Sequence, residues 1–505
     1  MPQSSSSLPN TLYLSLITID LQAKVPLYRQ IYSGLRSAII NDQLTAGTKL
    51  PSTRDLAKIW GVSRNTLRNG FDQLIAEGYL EAIVGKGTFV ADQHDLLTSK
   101  TPVDLDQQQE RIRPISVIGT HLEPFGQALH NPSQYSSTDF AIGIPDYEAF
   151  PHKLWARMVN RAQRRLQVDE DSRYNVHGLL KLRQAITSYL VSARGVQCTA
   201  EQIDIVPGSS VGMMVATLAL LNRGDKVWME NPGYISIDGL FWYRGAKPCY
   251  VPIDEKGLNV QYGIEHAPDA KVAYVTPSHQ YPLGITMTRE RRHQLIDWAG
   301  RSSMWIFEDD YDSEFRYDSP PITALQGLDI HNRVIYFGTF SKILLPDIRM
   351  AYVVLPPDLV DVYTGVKLPL SISTPTVMQE ALTDFMLEGH FVRHIRKMRG
   401  HYQERRDALI HAIRTYLKDE AYMGDVGGGM HMTVYLADHQ NEDQAVQIAR
   451  QVGIAALSLS SFNQSAQPQD NRKGIVFGFA NVTPLKIDQT IKRFAAELKK
   501  KNRAH

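Results

Sequence analysis

A lysine just after an apolar strand, flanked by small hydroxyl residues, has the short rigid approach that a Schiff base needs, and GTFSKILLPDIR (Gly338 to Arg349) offers one in Lys342. Thr339, Ser341 and Arg349 around it are residue types that hold phosphate oxygens, the arginine through a paired fork. ProGlySerSer (Pro207 to Ser210) falls between the strand-like QIDIV and the helix-like VGMMVATLALL, so Ser209 and Ser210 stand at a helix N-terminus, where amides and hydroxyls accept an anion. MWIFEDDYD puts Asp309 at a strand end and Tyr311 just beyond it. A carboxylate there keeps a pyridine nitrogen protonated, and a phenol hydrogen-bonds a ring oxygen. AsnProGlyTyr (Asn231 to Tyr234) adds an aromatic ring able to stack on a planar group. Each piece also has a plainer reading: Glu308-Asp309-Asp310 as a surface acid run, Asn-Pro-Gly as a turn, Ser-Lys as nothing special. In the order phosphate turn, stacking ring, acid, lysine, arginine, they define a site for pyridoxal phosphate.

Such residues need strands that end side by side. QIDIVPG, DKVWMENPG, KVAYVTPS, MWIFEDD and RVIYFGT are short apolar runs bounded by Gly or Pro and mostly separated by helix-length segments. Strands alternating with helices predict a mostly parallel α/β sheet.

The first ninety residues differ in kind. Leu27, Ile31, Leu35 and Ile39 recur every fourth position, which predicts a helix. Ser52 after Pro51 caps a second helix that Gly61 ends, and Ser63 caps a third that runs to Gly78. Helix, tight turn, helix is the helix-turn-helix order, and TyrLeuGluAlaIleVal, GlyLysGly and ThrPheVal then turn like a two-stranded wing. Ser63, Arg64, Asn65, Thr66 and Arg68 open the helix that would enter a major groove, where Arg reads guanine and Asn adenine. Ser52 and Arg54 are placed to hold phosphates, and Lys86 with Gly87 to reach a minor groove from the wing tip. A capped, solvated helix start is the alternative for any single Ser-Arg pair.

Composition sets the outer bounds. A chain of 505 residues requires more than one core, and 43% hydrophobic with 21% charged residues is ordinary for a folded protein. Two cysteines are too few for a disulfide framework or a zinc cluster, so no metal is expected. No apolar run is long enough for a membrane helix, and MPQSSSSLPN lacks the features of a secretory signal, so a cytoplasmic protein is expected. Net charge is only +1, but nine basic against six acidic residues up to Val90 put a mild excess where DNA would bind.

The stretch LPSTRDLAKIWGVSRNTLRNGFDQLIAEGYLEAIVGKGTFVA resembles the GntR-type winged helix, whose usual pattern is LPSxRxLAxxLGVSRxTVxxAYxxLxxEGYLxxxxGxGTFV. Leu67 replaces the usual Val, and Asn69-Gly70-Phe71 stands where the family tends to have x-Ala-Tyr; Gly70 in mid-helix costs about 1 kcal/mol against Ala. From about Phe140 onward the chain resembles fold-type I pyridoxal phosphate enzymes, the aspartate-aminotransferase-like fold. Together the halves are similar to the MocR/GabR family of bacterial regulators, whose wording is echoed by TPSHQYPLG, EDDYDSEFRY, GTFSKILLPDIRMAY and EGHFVRHIRKMRGHYQERRDAL.

The resemblance implies a multidomain chain: a winged helix-turn-helix at 21–91, a polar Gln-rich linker at 92–118, and at 119–505 a mostly parallel α/β domain with a small C-terminal α+β subdomain. It implies a transcription regulator, not an enzyme. Such a regulator binds double-stranded operator DNA as a domain-swapped head-to-tail homodimer and senses an amine, an amino acid or pyridoxal phosphate through an internal aldimine at Lys342. An active aminotransferase with an accessory DNA-binding domain is the alternative. Carried over by position, Asp309 partners the pyridine nitrogen, Tyr311 the ring oxygen, Tyr234 stacks and Arg349 holds phosphate. His279 joins the cofactor site with an altered ring-oxygen contact, because His279-Gln280 stands where aminotransferases usually have Asn-Pro. Ser236 stands two residues after Tyr234, where some members carry an arginine for a ligand carboxylate. GIVFGFANV likewise lacks an arginine, with Arg472 just before it.

Overall fold

The computed structural model describes residues 25–92, 139–165, 176–464 and 472–502, with single positions between 17 and 23 and most of 115–123. The chain divides into two compact units, 1–114 and 115–505. Most of the linker expected at 92–118 lies outside the described residues.

In the first unit α1 (Leu27–Ile40) buries Ile31, Leu35, Ala38 and Ile39, the face that the four-residue spacing marks out, with Leu27 half-buried at its start. Helix α2 (Thr53–Ile59) is capped by Ser52, whose Oγ accepts the Asp55 amide at 3.2 Å. Helix α3 (Arg64–Ala76) is capped by Ser63, whose Oγ accepts the Thr66 amide at 3.1 Å. Gly61 and Gly78 follow these helices with φ of +63° and +79°, a conformation that costs a residue with a Cβ about 1 kcal/mol. Strands β1 (Lys49–Leu50), β2 (Leu80–Ile83) and β3 (Gly87–Val90) form an antiparallel sheet in the order β1-β3-β2. Leu56, Leu67, Phe71 and Leu74 close the core beneath it. Gly70 is buried where α3 crosses α1: a Cβ there would stand 3.1 Å from the Tyr28 carbonyl oxygen. The missing side chain that weakens α3 locally is what lets the two backbones approach.

The second unit opens with α4 (His152–Arg165) and α5 (Leu180–Arg194), followed by β4 (Ile203–Val206), α6 (Ser209–Leu220), β5 (Lys226–Asn231) and α7 (Ile235–Arg244). Next come β6 (Lys247–Asp254), β7 (Gly257–Leu258), α8 (Val260–His266), β8 (Val272–Val275), α9 (Arg289–Ser302), β9 (Trp305–Asp310), β10 (Val334–Thr339) and β11 (Ala351–Val354). These strands make one sheet ordered β4-β11-β10-β9-β8-β5-β6-β7, parallel from β10 through β6, with β11 running against both its neighbours. All residues of β4, β8 and β10 are buried, which explains why they read as unbroken apolar runs. Two buried charge pairs brace the sheet. Arg194 meets Asp310 at 2.9 Å, and Lys367 meets Asp204 at 2.8 Å with both side chains fully buried.

Helices α10 (Val360–Lys367), α11 (Thr376–Leu387) and α12 (His390–Ala412) lead to the C-terminal part. There β12 (Ala421–Met423), β13 (His431–Leu436), β14 (Leu457–Ser458) and β15 (Gly474–Gly478) form an antiparallel sheet ordered β12-β13-β15-β14. Helices α13 (Glu442–Gln451) and α14 (Pro484–Asn502) complete this smaller layer, as expected from the sequence. Its core is separate in composition, built on Phe477, Phe494, Ile487 and Leu409.

Candidate cofactor site and nucleic-acid surface

In parallel sheets the loops after the strands gather at one end, and there a cavity of about 400 Å³ opens. Ser209, Ser210, Tyr234, Asp309, Tyr311, Thr339, Ser341, Lys342 and Arg349 all line it, so residues spread over 140 positions of sequence share one wall system. Ser209 and Ser210 form the first turn of α6, whose N-cap is Gly208. A Cβ on Gly208 would lie 4.0 Å from an Arg349 guanidinium nitrogen, so the cation and the open helix start face the same space. Arg349 itself has φ +50°, an unusual backbone state for a residue with a side chain. On the other side of Lys342, the Thr339 hydroxyl accepts the Ser341 amide at 3.2 Å and so shapes the turn between β10 and the lysine.

The Lys342 ammonium donates to the Gly143 carbonyl at 2.9 Å. Burial lowers its affinity for a proton, and Asp312 and Asp309 only partly oppose this. A less basic amine is a better nucleophile near neutral pH. Gly143 has φ +69°, and a Cβ there would stand 2.6 Å from Nζ, so only glycine lets the chain pass this close to the amine.

The acid run on β9 divides its labour by strand alternation. Glu308 accepts the amides of Leu325 at 2.7 Å and Gln326 at 2.8 Å, and Asp310 takes the Arg194 pair, while Asp309 between them lines the cavity. All three are buried, which rules out the surface reading. Asp309 Oδ2 accepts the Tyr274 hydroxyl at 2.8 Å, but Oδ1 is buried with no hydrogen-bond partner. Burial pushes this carboxyl up to about 7, against the pull of the Tyr274 bond, with Asp310 adding to the rise and Lys342 opposing it. A buried acceptor without a donor is costly, and a protonated pyridine nitrogen is a donor of the kind Oδ1 lacks. The residues present therefore fit pyridoxal phosphate: an anion seat at α6, an amine, and an acid wanting a donor.

Tyr234 lines the cavity and makes an edge-to-face contact with Tyr281, ring centres 5.5 Å apart. His279 departs from expectation. It is buried and does not line the cavity; its ring sits behind Tyr311, with Nδ1 3.1 Å from the Tyr311 hydroxyl and 3.2 Å from Asp312. The reach from its loop ends one side chain short of the wall. Sequence reading missed Gly143, Tyr274, Asp312 and His431, each a single residue on a separate element. Asp312 lies within the quoted EDDYD, three residues past Asp309, and was the nearest to being legible.

In the first unit Arg64, Asn65 and Arg68 are exposed on the first turns of α3, Arg54 on α2, and Lys86 and Gly87 at the turn joining β2 to β3. Thr66 is half-buried and shares a hydrogen bond with Ser63 at 2.8 Å. Ser52 is exposed too, but its hydroxyl donates to Asp55 at 2.6 Å, so the proton expected to meet a phosphate is engaged on its own helix.

A winged helix-turn-helix in the same chain as a lysine-bearing cavity on an α/β sheet defines a class of protein, the regulators built on an aminotransferase-like domain. Residues 27–90 match the bacterial regulatory proteins of the gntR family, and residues 137–494 match aminotransferase class I and II. The chain is 35% identical over 470 residues to the probable rhizopine catabolism regulatory protein MocR of Rhizobium meliloti, covering 93% of each. It is 30% identical over 456 residues to the pyridoxine biosynthesis transcriptional regulator PdxR of Corynebacterium glutamicum, covering 90% of this chain and 91% of that one. The multiple substrate aminotransferase of Thermococcus profundus has the fold of the second unit, with a TM-score of 0.68 at 24% identity over 77% of this chain and 98% of that one. The chain belongs to the MocR-type family, GntR-type regulators carrying an aminotransferase class I and II domain. Among the described residues no helix is long and apolar enough to cross a membrane.

Proposed function

We propose that this chain is a transcription regulator that binds operator DNA through α3 and the β2–β3 wing, and that it carries pyridoxal phosphate on Lys342 as a sensor of an amine, an amino acid or the cofactor itself. The observation that carries this reading is the unpartnered Asp309 Oδ1 in the same cavity as the Lys342 amine and the Arg349 guanidinium. In it, Ser209, Ser210 and Arg349 bind the phosphate, Asp309 takes the pyridine proton, and Tyr234 covers the ring. Bound there, pyridoxal phosphate supplies an aldehyde that can link to one amine and be claimed by another. Lys342, less basic than usual through burial, is the resident amine, and the Gly143 carbonyl holds its proton when it is displaced. Release of the buried Lys342 amine would change the contacts of the loops around it, and a two-state arrangement of the chain would read out that change.

The assembly proposed is the homodimer of the family, head-to-tail and domain-swapped, acting in the cytoplasm, with boundaries near 21–91, 92–118 and 119–505. Regulation, not turnover, is assigned as the role because the named relatives over the whole chain are regulators and a sequence reader gives an enzyme nothing.

The test is the visible absorption of the purified chain with pyridoxal phosphate while amines and amino acids are added. A band that one amine shifts lastingly supports a sensor and gives the effector class. Conversion to the pyridoxamine form that a keto acid reverses would make the domain a working aminotransferase. A spectrum identical to that of Lys342→Ala would remove the lysine from the account.

A further inference from the structure

The environment of Tyr311 is more elaborate than a ring-oxygen partner needs. Its hydroxyl donates to the His279 carbonyl at 2.8 Å, and the His279 ring nitrogen Nδ1 stands 3.1 Å from the same oxygen. Both backbone and side chain of one residue therefore grip one phenol. Asp312 Oδ1 stands 3.2 Å from Nδ1 without a hydrogen bond of its own, and a carboxylate so close favours a proton on that nitrogen. The other nitrogen, Nε2, is buried with no hydrogen-bond partner, as that tautomer leaves it a bare lone pair.

The ring is also held by shape. A Cβ on Gly284 would stand 3.3 Å from Nε2, and one on Gly429 would overlap the imidazole; both glycines have positive φ, +80° and +76°. Asp312 is tied in turn to the segment before β13, because its Oδ2 accepts the Met430 amide at 3.2 Å. A packing role alone does not call for a half-satisfied imidazole, which costs about 1–3 kcal/mol of unmet hydrogen bonding.

We propose that His279, locked by Asp312, is a positioning residue that orients the Tyr311 hydroxyl, so that the phenol proton is offered to the ring oxygen of the cofactor. This rests on the pyridoxal phosphate reading. The chemistry is simple. With Nδ1–H donating to the phenol oxygen, the lone pair on that side is occupied; the one phenol proton, held here by the His279 carbonyl at 2.8 Å, would have to turn from that carbonyl to the ring oxygen when the cofactor is bound. A bond donated to the cofactor's ring oxygen draws off the negative charge that would otherwise hold a proton on the lysine–cofactor nitrogen, which makes that nitrogen more acidic. The titratable groups facing the phenol and its histidine are Asp312, Asp309 on β9, Glu230 on β5, Tyr281 in the histidine's own loop, His431 on β13, and Lys342. His431 is kept neutral by burial and by His279 beside it, so it adds no charge to the cluster.

The experiment is a pH titration of the visible band of the full-length chain with pyridoxal phosphate. Six forms are compared: the parent, His279→Ala, Tyr311→Phe, the double variant of these two, Asp312→Asn and His279→Gln. His279→Ala is expected to raise the midpoint by about one unit, the scale of losing one specific hydrogen bond. Tyr311→Phe is expected to raise it as much, and the double variant no further, because both changes remove the same interaction. Asp312→Asn and His279→Gln, which perturb packing less, should shift the midpoint in the same direction and by less. A His279→Ala midpoint equal to the parent's, or shifts that add in the double variant, overturns the assignment and leaves His279 a packing residue. Absence of any band in the parent overturns the cofactor reading, and this inference with it.

Discussion

Asp309 shows how burial sets chemistry at a single residue. Its carboxyl titrates near 7 because burial penalises the charge and Asp310 repels it, while the Tyr274 bond and Lys342 pull the other way. A carboxyl raised above its unfolded value stabilises the fold while protonated; that contribution is full below the unfolded value and is lost as pH rises through about 7. Asp309→Asn does not titrate. In cofactor-free protein the melting temperature of the variant relative to the parent is therefore expected to be higher at about pH 8 than at about pH 5. Pyridoxal phosphate is expected to raise the melting temperature of the parent more than that of the variant, and an equal rise would deny Asp309 its cofactor contact. The residues that were legible in the sequence, Lys342, Asp309, Tyr311 and the Ser209–Ser210 turn, sit in local patterns with strand, turn or helix signals around them. Gly143 and His431 carry no such pattern; their place comes only from the chain's return across the site, and His279 was put one layer too close because sequence does not give side-chain depth.

Elements obeyed their patterns where the two faces of burial were clear. Helices α1 to α3 follow the spacing of their apolar residues and the Ser and Gly at their ends, and β4, β5, β8, β9 and β10 follow their apolar runs. Several strands did not announce themselves, β6 and β11 among them. β6 contains Pro248 and Pro252, which ordinarily demote a strand; it is tolerated beside the short β7 near the sheet edge. β11 has four residues and runs against its neighbours, which a rule of alternating strands and helices does not anticipate. Gly70 gives a prediction at this scale. Helix propensity alone promises about 1 kcal/mol of added stability for Gly70→Ala. The Tyr28 carbonyl, 3.1 Å from the new methyl, belongs to a packed helix and cannot yield without separating α1 from α3. The variant is expected to melt lower than the parent in the first unit by thermal circular dichroism; a gain would show that the crossing has slack.

For the molecule as a whole, the proposed function divides recognition of DNA sequence and of a small molecule between the two units, and each role can be tested by the kind of selectivity it should lose. Arg64→Ala is expected to weaken binding to a DNA sequence selected by the full-length chain far more than to random DNA, because a lost base contact costs about 1–3 kcal/mol only where the right base is present. Equal weakening on both would make Arg64 a phosphate contact. Composition foretold more than one core but hid the division of charge, since a net charge of +1 averages a mildly basic first unit into a neutral chain. The measurement closest to the central claim is the affinity of the full-length chain for its selected DNA, with and without pyridoxal phosphate and the amine that shifts its visible band, in the parent and in Lys342→Ala. Linkage requires that a ligand sensed by the chain change DNA affinity, by roughly 5–150-fold for ordinary coupling. The account predicts such a change in the parent and none in Lys342→Ala; one affinity for the parent under every condition would contradict it.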